Sequence, residues 1–351
     1  MSSVAVRVAG VGCGYWGPNV IRNLDAVPGF ELRTICDADP QRLEPVAARY
    51  PSARATTRVE DILEDPSIDA VYLATPVSTH YALAKHALLG NKHVLIEKPL
   101  ATTIDQAQEL AEIATANRLT LMVGHTFVFS PPVRKVKELI DAGLIGPLYY
   151  VETTRVNLGL FQKDVSVLWD LGPHDISILI YWLGEVPIQV SARGRSYLGE
   201  ALEDVAFLTL EFPSGILAQV QLSWLAPSKL RRTSIVGRQR MIVYDDLEPV
   251  EKVKVFDRGV DRQPASFGEF QLTYRSGDIL SPRLDTTEPL FIECEHFLEC
   301  IRSGRTPDTS PQSGVDVVRV IQAAERSLRC GGAPQQVYDH DEPGVAIERT
   351  P

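Results

Sequence analysis

Residues 4–17 read VAVRVAGVGCGYWG, an apolar run that passes without a break into Gly12-Cys13-Gly14-Tyr15-Trp16-Gly17 and then Pro18. An apolar run ending in G-x-G-x-x-G and followed by a helix start predicts the first strand, turn and helix of a dinucleotide-binding βαβ unit. In such a unit the first glycine permits the tight turn. The second lets a pyrophosphate approach the backbone, and the third packs helix against strand. Backbone N–H groups and the helix dipole then hold the anion. A glycine-rich turn of this form also occurs without a ligand, so a second feature is needed. Asp37, at the end of the next strand FELRTICD and 20 residues beyond Gly17, supplies it. A carboxylate there accepts hydrogen bonds from both ribose hydroxyls and repels a 2′-phosphate, favouring NAD over NADP. Asp37 also fits a turn-forming role in CDADP, and Arg33 and Arg42 nearby soften the preference.

Outward from this turn, the runs DAVYLAT, KHVLIE and LTLMVGH alternate with helix candidates near residues 18–24, 41–49, 59–63, 81–89 and 103–117. That alternation predicts a doubly wound parallel sheet over residues 1–124, the Rossmann-type α/β arrangement. After Gly146-Pro147 the pattern changes to LYYVETTRVNL, IQVSARGRSYL, DVAFLTLEF, GILAQVQLSWL, RRTSIVG and RMIVYDD in close succession. Residues 125–351 therefore read as an α+β domain with a large, mostly antiparallel open sheet. One helix is expected to interrupt it from Pro173 to about Leu183. Two more, over 288–301 and 314–330, close the chain and are placed against the first domain, while 248–285 reads as edge strands and loops.

The chain has 351 residues, 44% of them hydrophobic, enough for two domains each with its own core. Its 35 basic and 45 acidic residues leave a net charge of −10, which opposes attachment to a phosphate backbone, so no nucleic-acid partner is expected. No apolar run reaches the roughly 20 residues needed to span a bilayer. The N-terminus lacks the form of a basic leader, and a cytoplasmic location without a membrane partner is expected. Five cysteines with no CxxC pair argue against a disulfide framework and against a zinc site. No metal is expected.

Two further stretches carry chemistry. Glu97-Lys98-Pro99 follows KHVLI, at the carboxyl end of a parallel strand, where open α/β sheets place their ligands. A lysine there can donate a hydrogen bond or proton to an oxygen that gains charge as hydride moves, or it is a solvated turn residue. In Trp169-Asp170-Leu171-Gly172-Pro173-His174, Asp170 and His174 stand four apart and share a face if the turn is helical. A histidine is the natural acid or base at neutral pH, and a carboxylate beside it orients the ring. The alternative is a capping carboxylate and a surface ring.

Together, GCGYWG, Asp37, ATPVSTH (74–80), EKP (97–99) and DLGPH (170–174) resemble, in that order and at those spacings, the Gfo/Idh/MocA family of oxidoreductases across the whole chain. The resemblance implies an NAD(H)-dependent dehydrogenase acting on a CH–OH carbon of a sugar, amino sugar, nucleotide sugar or cyclitol. It also implies Lys98 and His174 as an acid/base pair with Asp170, and Thr75, Pro76 and His80 lining the nicotinamide side. Homodimers or homotetramers through the open sheet are implied as well. Gly12, Cys13, Gly14, Glu97 and Lys98 join Asp37 and Arg42 as cofactor-side candidates. Tyr15 and Trp16 either shield the pyrophosphate or pack the first helix. Two departures lie on the substrate side. GHTFVFSP (124–131) carries His125 where many members have an arginine-bearing stretch, and LFQKDVSVLW (160–169) replaces a glycine-rich turn. The form seen here is similar to members of nucleotide-sugar and amino-sugar pathways. His125, Arg155, Asn157 and Trp169 are the substrate candidates, each with a bland alternative as a strand or core residue. A redox-neutral NAD-dependent glycosidase and a non-catalytic NAD-binding sensor are the rival readings.

Overall fold

A computed structural model describes residues 5–159, 165–199, 202–264 and 270–338. In chain order the first elements are β1 (Val6–Val11), α1 (Gly17–Ala26), β2 (Phe30–Cys36), α2 (Pro40–Ala47), β3 (Arg54–Thr56), α3 (Glu60–Leu63), β4 (Ala70–Leu73), α4 (Val77–Leu89), β5 (His93–Glu97), α5 (Ile104–Ala116) and β6 (Leu121–Gly124). A 3-10 turn over Thr126–Phe129 follows, then α6 (Pro131–Asp141), β7 (Leu148–Leu158), α7 (Val167–Leu183), β8 (Gln189–Arg195), β9 (Val205–Glu211), β10 (Leu217–Ser223), β11 (Leu225–Gly237) and β12 (Met241–Asp245). The last elements are β13 (Val253–Pro264), β14 (Phe270–Leu280), α8 (Pro289–Ser303), α9 (Pro311–Arg329) and β15 (Gln335–Gln336). One compact unit comprises the described residues of Met1–Ser130 and Thr287–Val318, and a second those of Pro131–Thr286 and Arg319–Pro351.

The first unit is a six-stranded sheet of order β3-β2-β1-β4-β5-β6, and every pair in it is parallel. Strands of a parallel sheet covered on both faces lose their alternation, and β4 and β6 are indeed buried at every position. Helix boundaries follow local chemistry. The Asp39 side chain accepts from Gln41 N–H at the start of α2, and Thr103 from Gln106 N–H at the start of α5, each satisfying a helix-end donor. Ala107, Leu110 and Ala114 of α5 form one buried stripe, the spacing of a helix laid on a sheet. In the same unit α8 packs on α1 and on the 3-10 turn. This unit reaches Ser130, beyond the expected Gly124, because the turn after β6 stays with its sheet through contacts to α8.

The second unit holds a nine-stranded sheet of order β14-β13-β12-β11-β7-β10-β9-β8-β15. Its pairs are antiparallel apart from β7 with β10. The alternation in β9 and β10 is clean. Ala206, Leu208, Leu210, Ala218, Val220 and Leu222 are buried on one face, and α7 packs against β7, β9 and β10. Phe207, Leu217 and Tyr150 on the opposite face are roughly half exposed. Helix α7 begins at Val167, six residues earlier than expected, with Pro173 inside it. It ends on Gly184 at φ +67°, a left-handed position suited to glycine. The stretch 248–285, expected as edge strands and loops, contains the long hairpin of β13 and β14. Residues 160–164 of the departure LFQKDVSVLW lie outside the described residues.

Candidate functional site

In the first unit the glycine turn has the three-part form the sequence suggests. Gly12 sits at φ +100°, and a Cβ on it would lie 2.4 Å from the Ala74 carbonyl oxygen. A Cβ on Gly17 would lie 1.9 Å from the Gly12 carbonyl oxygen, so only glycine lets α1 start this close to the turn. Around Gly14 the space is open, with no atom within 4 Å of the position its Cβ would take. That open cradle at the start of α1 is the place where a diphosphate approaches the backbone, so the residues fit a dinucleotide.

Asp37 ends β2 beside this turn. Its Oδ2 accepts from the Cys13 N–H at 2.6 Å and its Oδ1 from the Asp39 N–H at 2.8 Å. Each carboxylate oxygen has a second lone pair, so both remain able to accept ribose hydroxyls. The Cys13 thiol is buried, and burial with the charge of Asp37 pushes it up to about 12, which keeps it neutral. Arg42, expected on the cofactor side, is ion-paired with Asp39 at 3.4 Å and largely exposed. Such pairs are weak, so Arg42 is held only loosely. Tyr15 is 86% exposed, which rules out its packing the first helix. Trp16 lies within hydrogen-bonding reach of the Glu97 carboxylate, to which it donates its indole N–H, the one donor of that side chain.

Lys98 and Glu97 stand at the carboxyl end of β5, joined to Pro99 by a cis peptide bond. Glu97 keeps part of its surface in solvent, but protein atoms surround its carboxyl group, and that burial pushes it up to about 7. The Tyr72 hydroxyl donates to Glu97 Oε1 at 2.9 Å. His125 follows β6, is 1% exposed, and neither ring nitrogen has a hydrogen-bond partner among the described residues. Burial, reinforced by the charge of Lys98, pulls its pKa down to about 3, so the ring is neutral.

His80 is a correction. Expected to line the nicotinamide side, it is 1% exposed, with Nδ1 at 2.9 Å from the Pro99 carbonyl oxygen and Nε2 at 2.9 Å from that of Thr75. Each nitrogen faces a carbonyl oxygen, and the neutral ring, its pKa lowered by burial, donates its single N–H to one of them while packing against the other loop. Thr75 and Pro76 lie at the start of α4, where the Thr79 hydroxyl is 2.7 Å from Thr75 Oγ1.

In the second unit Asp170 and His174 lie one turn apart on α7, on one face of a formed helix. Asp170 Oδ2 accepts from the Trp224 indole at 3.1 Å. Two substrate candidates are corrected. Arg155 is 4% exposed, and its Nε donates to Asp175 Oδ2 at 2.5 Å, with Thr153 donating to the same carboxylate. Nε and one Nη of the guanidinium are thus directed to a buried carboxylate, a structural ion pair. Trp169 is 9% exposed and donates to Glu325 at 2.8 Å, as part of the core. Asn157, half-buried near the end of β7, remains a candidate. Sequence reasoning passed over Glu293, described below, since a glutamate on an amphipathic helix carries no signal of burial.

Residues 6–125 match the family described as "Oxidoreductase family, NAD-binding Rossmann fold", and residues 133–243 match the "GFO/IDH/MocA C-terminal domain". The scyllo-inositol 2-dehydrogenase (NAD(+)) of Bacillus subtilis is 30% identical over 349 residues, covering 95% of this chain and 96% of its own. The chain belongs to the Gfo/Idh/MocA family of oxidoreductases. Among solved structures it is similar to the UDP-N-acetylglucosamine 3-dehydrogenase of Acidithiobacillus ferrooxidans. That match has 25% identity and a TM-score of 0.77, and covers 93% of this chain and 99% of that one. It shares its fold with GenD2 from gentamicin A biosynthesis, solved in complex with NAD. There the identity is 24% and the TM-score 0.81, with 97% of this chain and 98% of that one covered. As a Gfo/Idh/MocA member the protein is an NAD-binding oxidoreductase, an enzyme, with the parallel Rossmann sheet and mostly antiparallel second sheet of its relatives. These comparisons lend no support to the glycosidase or sensor readings. No helix among the described residues is long and apolar enough to cross a membrane.

Proposed function

We propose that this enzyme interconverts a secondary alcohol and a ketone on a sugar, amino sugar, nucleotide sugar or cyclitol, using NAD(H). The observation that carries the reading is the open cradle at Gly14 beside Asp37, in one unit with Lys98 at the end of a central parallel strand. Relatives named as inositol and UDP-sugar dehydrogenases support the substrate class. The nicotinamide, when bound, accepts or donates the hydride.

The chain's own residues do the rest. Gly12, Gly14 and the start of α1 hold the diphosphate, while Asp37 takes the ribose hydroxyls and disfavours NADP. Lys98 donates a hydrogen bond to the reacting oxygen and so stabilises the negative charge that develops there. His174, oriented by Asp170, takes the hydroxyl proton in oxidation and returns it in reduction. His125 and Asn157 bind substrate hydroxyls. The unit of residues up to 130 with 287–318 serves as the cofactor domain, and the unit of 131–286 with 319 onward as the substrate domain, so the C-terminal helices expected over 288–330 return to the first unit only as far as Val318. The half-exposed Tyr150, Phe207 and Leu217 on the outer sheet face support assembly as a homodimer or homotetramer.

The test is a panel of inositols, nucleotide sugars, amino sugars and sugar phosphates incubated with NAD, following NADH absorbance. The reading expects one class to be turned over. It also expects K98M and H174A each to lose about two or more orders of magnitude in kcat while NAD affinity is kept. Wild-type rates in both variants would overturn the assignment.

A further inference from the structure

The first unit buries a second carboxyl group that the proposed reaction does not use. Glu293, on α8, is 1% exposed. Its Oε2 accepts from the Thr126 hydroxyl at 3.0 Å, and its Oε1 has no hydrogen-bond partner among the described residues. Thr126 lies two residues beyond Gly124, which pairs with Glu97 and whose Cβ would be 3.2 Å from Glu97 Oε1, so the hydrogen bond to Thr126 brings Glu293 close enough to Glu97 for their charges to interact. Two carboxyl groups this close in low dielectric favour holding one shared proton over carrying two like charges. Glu97 is the better placed to carry the charge. It accepts from Tyr72 and has the Trp16 indole and the Lys98 backbone as further donors, with the Lys98 ammonium beside it. Glu293 has a single hydroxyl.

We propose that Glu97 and Glu293 hold one proton between them, and that Glu293 is a positioning residue. As the neutral partner it lets the Glu97 carboxylate stand charged and fix Trp16 of the glycine turn and the backbone of Lys98. The proton resides on Glu293 at neutral pH. A second proton, taken up by Glu97 as pH falls, weakens the acceptor that holds Trp16, and loss of the first at alkaline pH sets two like charges side by side. Cofactor affinity is thereby tied to the protonation of this pair, which rests on the reading that the glycine turn receives NAD.

The other titratable groups facing the pair stay silent in this range. Burial pushes Tyr72 and Cys294 well above their ordinary values. His125, beside Lys98, is neutral. Farther out, Arg22 and Glu288 are ion-paired with each other.

Two measurements on the full-length protein test this. Difference infrared spectra of wild type minus E293Q at pH 7.5 should show the C=O band of a protonated carboxyl that the variant lacks. NAD affinity by calorimetry should fall about 25-fold between pH 7.5 and pH 5.5 in wild type, as expected if the ionised form of Glu97, with its pKa at about 7, is the binding-competent one. It should fall again at alkaline pH, where Glu293 gives up its proton. E293Q, a mimic of the neutral acid, should keep the acid limb and lose the alkaline one, whereas E97Q should lose the acid limb. Absence of the protonated-carboxyl band in wild type, or an E293Q profile with both limbs intact, overturns the proposal. Failure of NAD to bind at any pH would sink the cofactor reading, while the infrared result would still decide the shared proton.

Discussion

His80 Nδ1 lies 2.9 Å from the carbonyl oxygen of Pro99, the residue that follows Lys98, and the other ring nitrogen is equally close to Thr75. The imidazole thus fixes the distance between the loop after β4 and the loop after β5. Displacing a reacting group by about 1 Å costs on the order of 100-fold in rate. H80A is therefore expected to lower kcat by about tenfold to a hundredfold through Lys98, with a stability loss of about 1–3 kcal/mol from the stranded carbonyl. Steady-state kinetics with a melting curve checks both. An unchanged kcat would show that Lys98 does not need this tie.

Asp37 binds the Cys13 N–H, and in the proposed function it takes the ribose hydroxyls. A charged acceptor of two hydroxyls contributes about 1.5–3 kcal/mol per bond. D37S should raise the KM for NAD by about tenfold or more and narrow the preference over NADP, because the charge that repels a 2′-phosphate is gone. The ratio of kcat/KM for the two cofactors is the measurement, and a ratio unchanged from wild type would assign the carboxylate to the turn alone.

The fold and the form of the glycine turn were legible in the sequence because both are written locally. An apolar run, three glycines and a carboxylate at a fixed offset are short-range signals. Arg155 was misread for the opposite reason. Its partner Asp175 is 20 residues away on a helix, and alternation along β7 cannot say which buried position holds an ion pair. Strand β3 has three residues, two of them exposed, and so offered no apolar run to detect. The start of α7 was placed at Pro173 because proline favours the first helical turn, yet here the helix extends six residues before it. Glu293 and His80 owe their roles to burial, which no single residue announces.

Arg155 and Asp175 form an ion pair with side chains about 4% and 5% exposed. Removing one partner of such a pair leaves a buried charge and typically costs about 3–5 kcal/mol, whereas replacing both by apolar residues of similar size is often neutral. R155M and D175L should each unfold at markedly lower denaturant, and the double variant should recover most of the loss. A double variant as unstable as the sum of the singles would mean that the network with Thr153 and Thr233 dominates.

His125 is held neutral in the folded state down to about pH 3, while the unfolded chain has an ordinary histidine near 6.5. A folded pKa below the unfolded one means that the unfolded state binds the extra proton. Stability is therefore full above pH 6.5 and falls as pH drops, by about 1.4 kcal/mol per pH unit for one proton. In H125Q this contribution disappears. The difference in unfolding free energy, wild type minus H125Q, should decline by about that slope between pH 6 and pH 4, and parallel stability curves would show that the ring is protonated or exposed.

Gly14 and Gly17 separate binding from folding. A methyl on Gly14 meets nothing within 4 Å, so G14A should keep the melting temperature close to wild type while obstructing the approach of the diphosphate. A methyl on Gly17 would come within 1.9 Å of the Gly12 carbonyl oxygen, which is backbone and cannot swing aside. G17A must therefore shift α1 away from the turn, an overpacking change of the kind that costs about 1–3 kcal/mol or more. Thermal unfolding with and without NAD distinguishes the two. G14A should melt normally but gain little from added cofactor, since stabilisation by a ligand scales with the logarithm of its concentration over Kd. G17A should melt low from the outset. If G14A were stabilised by NAD as strongly as wild type, the diphosphate would lie elsewhere and the assignment of the cradle would fail.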